Sequence, residues 1–151
     1  MVNFTREQSL AAVEISQLVN LWASELDLND GLSISPLIAK DCVYVVRGEP
    51  RNSRAEVVQF YQQRMEEMSA TPAGTPFQRH AISNLVFRFN ETGVVDGTFL
   101  LTYYAAFQKP PVEGFEGPVA VADCKMQFCQ EEGAWKIARF SSVQNFYRAF
   151  S

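Results

Sequence analysis

The second half of the chain is a succession of strand patterns too long for a flat sheet. Phe77–Asn90, Val94–Lys109, Val119–Glu131 and Trp135–Phe146 are rich in β-branched and aromatic residues. Turn signals separate them: Asn90-Glu-Thr-Gly93, the loop PPVEGFEGP and Glu132-Gly133. This spacing predicts four antiparallel strands in sequential order. Strands of this length need bulges and strong curvature to stay covered. A bent sheet must be closed by something, and the first half of the chain supplies helices.

Thr5-Arg-Glu-Gln8 is a capping box and predicts a helix from there to about Leu26. Ala11, Ile15, Val19, Ala23 and Asp27 recur every four residues, so one face is apolar until its last member, a carboxylate. Asn29-Asp30-Gly31 turns the chain, and a short helical segment is expected over Leu32–Ala39, with Ser35-Pro36 near one end. Cys42–Arg47 reads as a strand, and GEPRN as a turn. A second capping box, Ser53-Arg-Ala-Glu56, opens a helix with an apolar stripe of Val57, Tyr61, Met65 and Met68. Glu66-Glu67 reads as a solvated helix face, and ATPAGTP ends the helix. The order of elements is α+β, with helices packed on one face of a strongly curved, mainly antiparallel sheet that forms a cone with a cavity. One domain over residues 1–151 is expected at this length.

Bulk properties exclude several function classes. A formal net charge of -4 without any basic stripe argues against nucleic acid as a partner. No apolar run is long enough to span a bilayer, so no membrane partner is expected. One histidine, with Cys42, Cys124 and Cys129 in no ligand spacing, makes a metal site improbable. The three cysteines read as small apolar fillers. No glycine-rich phosphate loop is present, and no cofactor is expected. An odd cysteine count without a secretory apolar segment suits the cytoplasm.

What remains is the lone histidine, His80, at the start of the first long strand. Alternation puts His80, Ile82, Asn84, Val86 and Arg88 on one face and Leu85, Phe87 and Phe89 on the other; a bulge would exchange the sets partway. A buried neutral imidazole needs a partner for its N–H, and a carboxylate also makes it a stronger base. Asp27 ends an apolar row near a helix C-terminus, where the dipole disfavours negative charge and an imidazole could compensate. His80 and Asp27 are the candidate catalytic dyad. Tyr44, Tyr103, Tyr104 and Trp22 are candidates to line the cavity, with one of the adjacent Tyr103 and Tyr104 facing in and the other out.

Three patterns resemble the SnoaL-like branch of the nuclear transport factor two-like superfamily: Glu25-Leu-Asp27-Leu-Asn-Asp30, Gln78-Arg79-His80-Ala-Ile-Ser83-Asn84, and Gly133-Ala-Trp135-Lys136-Ile137-Ala138-Arg139. The resemblance implies a cone-shaped, cystatin-like fold with an apolar pocket between helices and sheet. In its scytalone dehydratase-like and dehydrochlorinase members an aspartate ending helix one pairs with a histidine opening the next long strand, and the matching residues are Asp27 and His80. It departs from scytalone dehydratase at Leu26, where that enzyme has tyrosine, at Ala122 and Cys124, where it has polar residues, and in lacking a second pocket histidine. These departures point away from scytalone itself as substrate.

Two functions are compatible with this sequence. One is a cofactor-independent lyase or isomerase, dehydratase-like, acting on a small apolar or aromatic substrate. The other is a non-catalytic ligand-binding or assembly subunit similar to an aromatic-ring dioxygenase β chain. The family resemblance also implies a homo-oligomer, dimer or trimer, through the outer sheet face.

Overall fold

The computed structural model describes residues 3–149. The outermost two residues at each end of the expected domain lie outside the described residues. Helix α1 spans Arg6–Asn29. The Thr5 hydroxyl accepts from the Gln8 backbone N–H, and the Gln8 side chain accepts from the Thr5 N–H, so the capping box closes reciprocally. Ala11, Ile15, Val19 and Ala23 are buried, as their spacing requires. The helix runs three residues past the expected end at Leu26 and stops where Asp30 and Gly31 enter left-handed conformation. Gly31 is obligatory there, because a Cβ would lie 2.6 Å from the ring of Tyr61.

The segment expected as a helix over Leu32–Ala39 is only one 3₁₀ turn, Ser35–Leu37. Ile38 and Ala39 are instead fully committed to strand β1, Ile38–Val46. GEPRN, expected as a turn, contains strand β2, Glu49–Arg51, paired antiparallel to β1 across Arg47-Gly48. Helix α2 covers Arg54–Ser69. Its Ser53 cap accepts from the Glu56 N–H, but the Glu56 carboxylate receives the Asn52 N–H, so the second box closes one residue early. Strands β3 (Phe77–Phe89), β4 (Val95–Ala106), β5 (Ala120–Glu131) and β6 (Ala134–Tyr147) form the expected antiparallel meander.

The sheet order is β2-β1-β6-β5-β4-β3, with β1–β6 as the parallel pair. This is an α+β fold: α1 packs against β3 and β6, and α2 against β1, so both helices cover the concave side of one curved sheet. The register of β3 against β4 shifts between Ser83 and Val86, where Asn84 has φ 54°. The extra residue exchanges the two faces. Gln78, His80 and Ile82 before it, and Leu85, Phe87 and Phe89 after it, all turn inward, and the apolar members pack on the core. Val86 turns out to solvent. No helix among the described residues is long and apolar enough to cross a membrane.

Candidate active site

Asp27 occupies the last full turn of α1, and His80 faces it from the inner side of β3. Their side chains are nearly buried, 10% and 13% exposed. His80 Nδ1 lies 2.6 Å from Asp27 Oδ1, and the His80 backbone N–H donates to Asp27 Oδ2 at 3.0 Å. One residue therefore engages both carboxylate oxygens, which fixes the side chain in two directions. It also offsets the unfavourable placement of a carboxylate at a helix C-terminus.

A carboxylate accepts and cannot donate, so Nδ1 carries the hydrogen, and in the neutral imidazole Nε2 keeps a lone pair. Nε2 has no hydrogen-bond partner among the described residues, and His80 borders a cavity of about 450 Å³. The Tyr103 ring lies 4.7 Å from the imidazole at 34°, and Trp22 lies 6.4 Å away. On its outer side the dyad borders a shallow groove with Asn20 and Ser24.

Gln78, two residues before His80 on the same face, is 4% exposed. Its Nε2 donates to the Leu26 carbonyl at 2.7 Å and to Asp30 at 3.2 Å, both acceptors, so the amide orientation is fixed. Its Oε1 then receives the Tyr103 hydroxyl at 3.1 Å. The Tyr103 proton is thereby committed, and the oxygen offers lone pairs to the cavity.

A second group of cavity-lining side chains is different. Trp22 Nε1 donates to the Tyr44 hydroxyl at 2.9 Å, and the Tyr44 and Tyr61 hydroxyls lie 2.7 Å apart. Two hydroxyl protons share this contact and only one can fill it, so the other has no protein acceptor there and faces the cavity. Burial pushes the Tyr61 phenol up to about 12 and the Tyr44 phenol well above its ordinary range. Tyr103 is raised as well, also by burial. All three stay protonated at neutral pH.

Of the residues singled out from sequence, His80, Trp22, Tyr44 and Tyr103 border the cavity, and Asp27 stands behind His80. Tyr104 does not. It pairs with Arg79 on the outer face and stacks on Phe115 at 5.6 Å, because strand alternation sends it opposite to Tyr103. Sequence reasoning missed Tyr61, Gln78, Asp30, Arg47 and Arg64, which also line the cavity. Gln78 was discoverable, since it shares the alternation of His80. Ala122 borders the cavity too, an apolar surface where a polar side chain is absent.

The thiols are poor nucleophiles: burial raises Cys42 to about 11 and Cys124 to about 12. Among the described residues no cluster of three or more His, Cys, Asp or Glu side chains could hold a metal.

Residues 7–141 match the family model of a SnoaL-like domain. No curated protein matches the sequence. Solved structures share the fold. A candidate scytalone dehydratase from Novosphingobium aromaticivorans superposes with TM-score 0.69 at 14% identity, covering 91% of this chain and 85% of that one. A type 2 hexachlorocyclohexane dehydrochlorinase gives TM-score 0.69 at 14% identity, covering 94% and 90%. A candidate aromatic ring hydroxylase, also from Novosphingobium aromaticivorans, gives TM-score 0.65 at 13% identity, covering 89% and 88%. At such identities the likeness speaks for the fold alone.

Proposed function

This chain belongs to the SnoaL-like domain family, and on that premise we propose that it is a cofactor-independent lyase or isomerase run by the His80–Asp27 dyad. The observation that carries the reading is the 2.6 Å Nδ1–Oδ1 contact, which leaves Nε2 beside a cavity lined in part by aromatic side chains. In this mechanism Nε2 removes a proton from a substrate carbon next to a carbonyl, and Asp27 stabilises the imidazolium that forms. A hydroxyl proton of the Tyr44/Tyr61 pair meets the oxygen on which charge develops. In an elimination the C–O bond then breaks and the leaving oxygen takes up the proton held by the His80 imidazolium, releasing water and restoring the neutral imidazole. In an isomerisation the imidazolium returns its proton to a different carbon.

The dehydratase and dehydrochlorinase among the structural neighbours support this class of chemistry. Exposed apolar side chains support the second reading, an assembly or ligand-binding subunit: Val143 and Phe146 are 68% and 70% exposed near one end of β6. Assembly into a homo-dimer or trimer through the outer sheet face belongs to either reading, and light scattering on the purified protein tests it.

The decisive experiment uses the purified protein alone. Hydroxylated aromatics and small terpenoid or polyketide compounds are incubated in D₂O, and deuterium uptake or water loss is followed by NMR. Wild type is expected to exchange or eliminate, and His80→Ala and Asp27→Asn to lose most of that activity. Turnover surviving both substitutions removes the dyad from the mechanism.

A further inference from the structure

The cavity also carries charge that the proton-transfer chemistry does not use. Arg47 and Arg64 both line it. Arg47 has neither a carboxylate partner nor a hydrogen bond among the described residues and sits at the exposed rim. Arg64 has Asp30 at 4.0 Å, beyond hydrogen-bond range, and Asp30 already accepts from Gln78. The neighbouring arginines behave otherwise. Arg51 donates to the carbonyls of Val46 and Glu49 and lies over the Phe60 ring, while Arg54 holds the Ile38 carbonyl and Glu131.

The backbone at Arg47 is the second observation. Val46 pairs with Glu49 across a two-residue turn in which Arg47 has φ 52° and Gly48 φ 79°. Such a turn favours Asn or Asp before Gly, because a longer side chain in left-handed conformation is strained. Nothing in the hairpin needs an arginine. The same backbone at Glu132-Gly133 also carries a long side chain, so what sets Arg47 apart is its place on the cavity lining.

We propose that the substrate carries a carboxylate, held at the rim by Arg47 and Arg64, while its apolar or aromatic body fills the cavity. This rests on the reading that the cavity is where substrate binds, and it adds the substrate's class: an aromatic or polycyclic acid. His80 Nε2 and the Tyr103 oxygen present lone pairs and repel an anion, the Tyr44/Tyr61 pair offers a neutral hydroxyl, and Asp30 stands beside Arg64, so Arg47 is the uncompensated cation of the lining and places the carboxylate at the rim. A guanidinium is suited to this task, since its fork of donors matches a carboxylate.

The test compares 2-naphthoate with its neutral isostere 2-naphthamide, by calorimetry, on wild type, Arg47→Asn, the Arg47→Asn/Arg64→Gln double variant and His80→Ala. Wild type is expected to prefer the acid by about tenfold at low salt, with the preference shrinking as salt is added. Arg47→Asn should lose most of it, and the double variant all of it, at unchanged affinity for the amide. His80→Ala should keep the preference, so a failure of the dyad and a failure of the carboxylate site give different results. Equal affinities in wild type, or a preference that survives the double substitution, overturn the proposal. Binding of the amide without the acid overturns it as well, and binding of neither also removes the cavity as the substrate site.

Discussion

The acceptor wall of the cavity, built by Asp27 of α1, Gln78 and His80 of β3 and Tyr103 of β4, and the donor wall, built by Trp22 of α1, Tyr44 of β1 and Tyr61 of α2, differ in what their hydrogen bonds leave over. On the first, Asp27 commits the His80 Nδ1 hydrogen and Gln78 commits the Tyr103 hydrogen, so only lone pairs remain. On the second, Trp22, Tyr44 and Tyr61 bring three hydrogens to two oxygens, so a hydrogen remains. Both walls are aromatic and poorly solvated, and burial alone would not tell them apart. In the proposed reaction the two groups supply an acceptor and a donor, which is the polarity that proton abstraction beside a carbonyl requires.

The comparison breaks most visibly if the acceptor wall is removed. His80→Ala should lower kcat by roughly a hundred- to ten-thousand-fold, or about 3–5 kcal/mol of barrier, in the exchange assay above.

The donor wall leaves its signature in stability instead. The Tyr61 phenol stands at about 12 in the folded protein and at about 10 when unfolded. Above pH 10 the unfolded chain therefore releases a proton that the folded chain retains, and stability falls as pH rises through this window. Two units correspond to about 3 kcal/mol by pH 12. The buried Cys42 and Cys124 thiols act with the same sign from slightly lower pH. Urea midpoints measured from pH 9 to 11.5 should decline in wild type and decline less in Tyr61→Phe; identical slopes would mean that Tyr61 does not titrate late.

A finer contrast lies within the tyrosine pair. Tyr44→Phe orphans the indole N–H of Trp22, which is 1% exposed, and should cost about 1–3 kcal/mol. Tyr61→Phe orphans nothing, because Tyr44 keeps the indole bond and its own hydrogen turns to the cavity. Its cost should be smaller, and denaturant unfolding of the two variants decides the matter. The reverse order would mean that the Trp22–Tyr44 bond is not the anchor of that wall.

Much of this arrangement is legible in the sequence where local chemistry is decisive. The Thr5 box starts α1, and the four-residue row carries Asp27 onto the face where the next strand arrives. Gly31 and Gly133 end elements as turn signals. What escapes is non-local. Pairing of β1 with β6 joins segments nearly a hundred residues apart, and no local pattern in Cys42–Arg47 announces a parallel partner. Tyr61 read as one more member of an apolar stripe, and helical periodicity separates buried from exposed without saying which buried position borders a void. Tyr103 and Tyr104 were separable into opposite faces, but choosing the inner one required the register with His80.

The bulge in β3 is the smallest of these devices, and it lets the strand that carries His80 keep its second half on the core. Strict alternation from His80 would send Leu85, Phe87 and Phe89 to solvent and strip them from the core. One extra residue at Asn84, with φ 54°, lets both sets face inward. Asn84 is exposed, so its side chain contributes through conformation and not through packing. Asn tolerates the left-handed region better than residues with a plain Cβ, and Gly better still. Asn84→Ala should therefore cost about 1 kcal/mol in urea unfolding, while Asn84→Gly should sit close to wild type. If alanine proves neutral and glycine destabilising, the bulge is held by the packing of Phe87 and Phe89 and not by the residue at its apex.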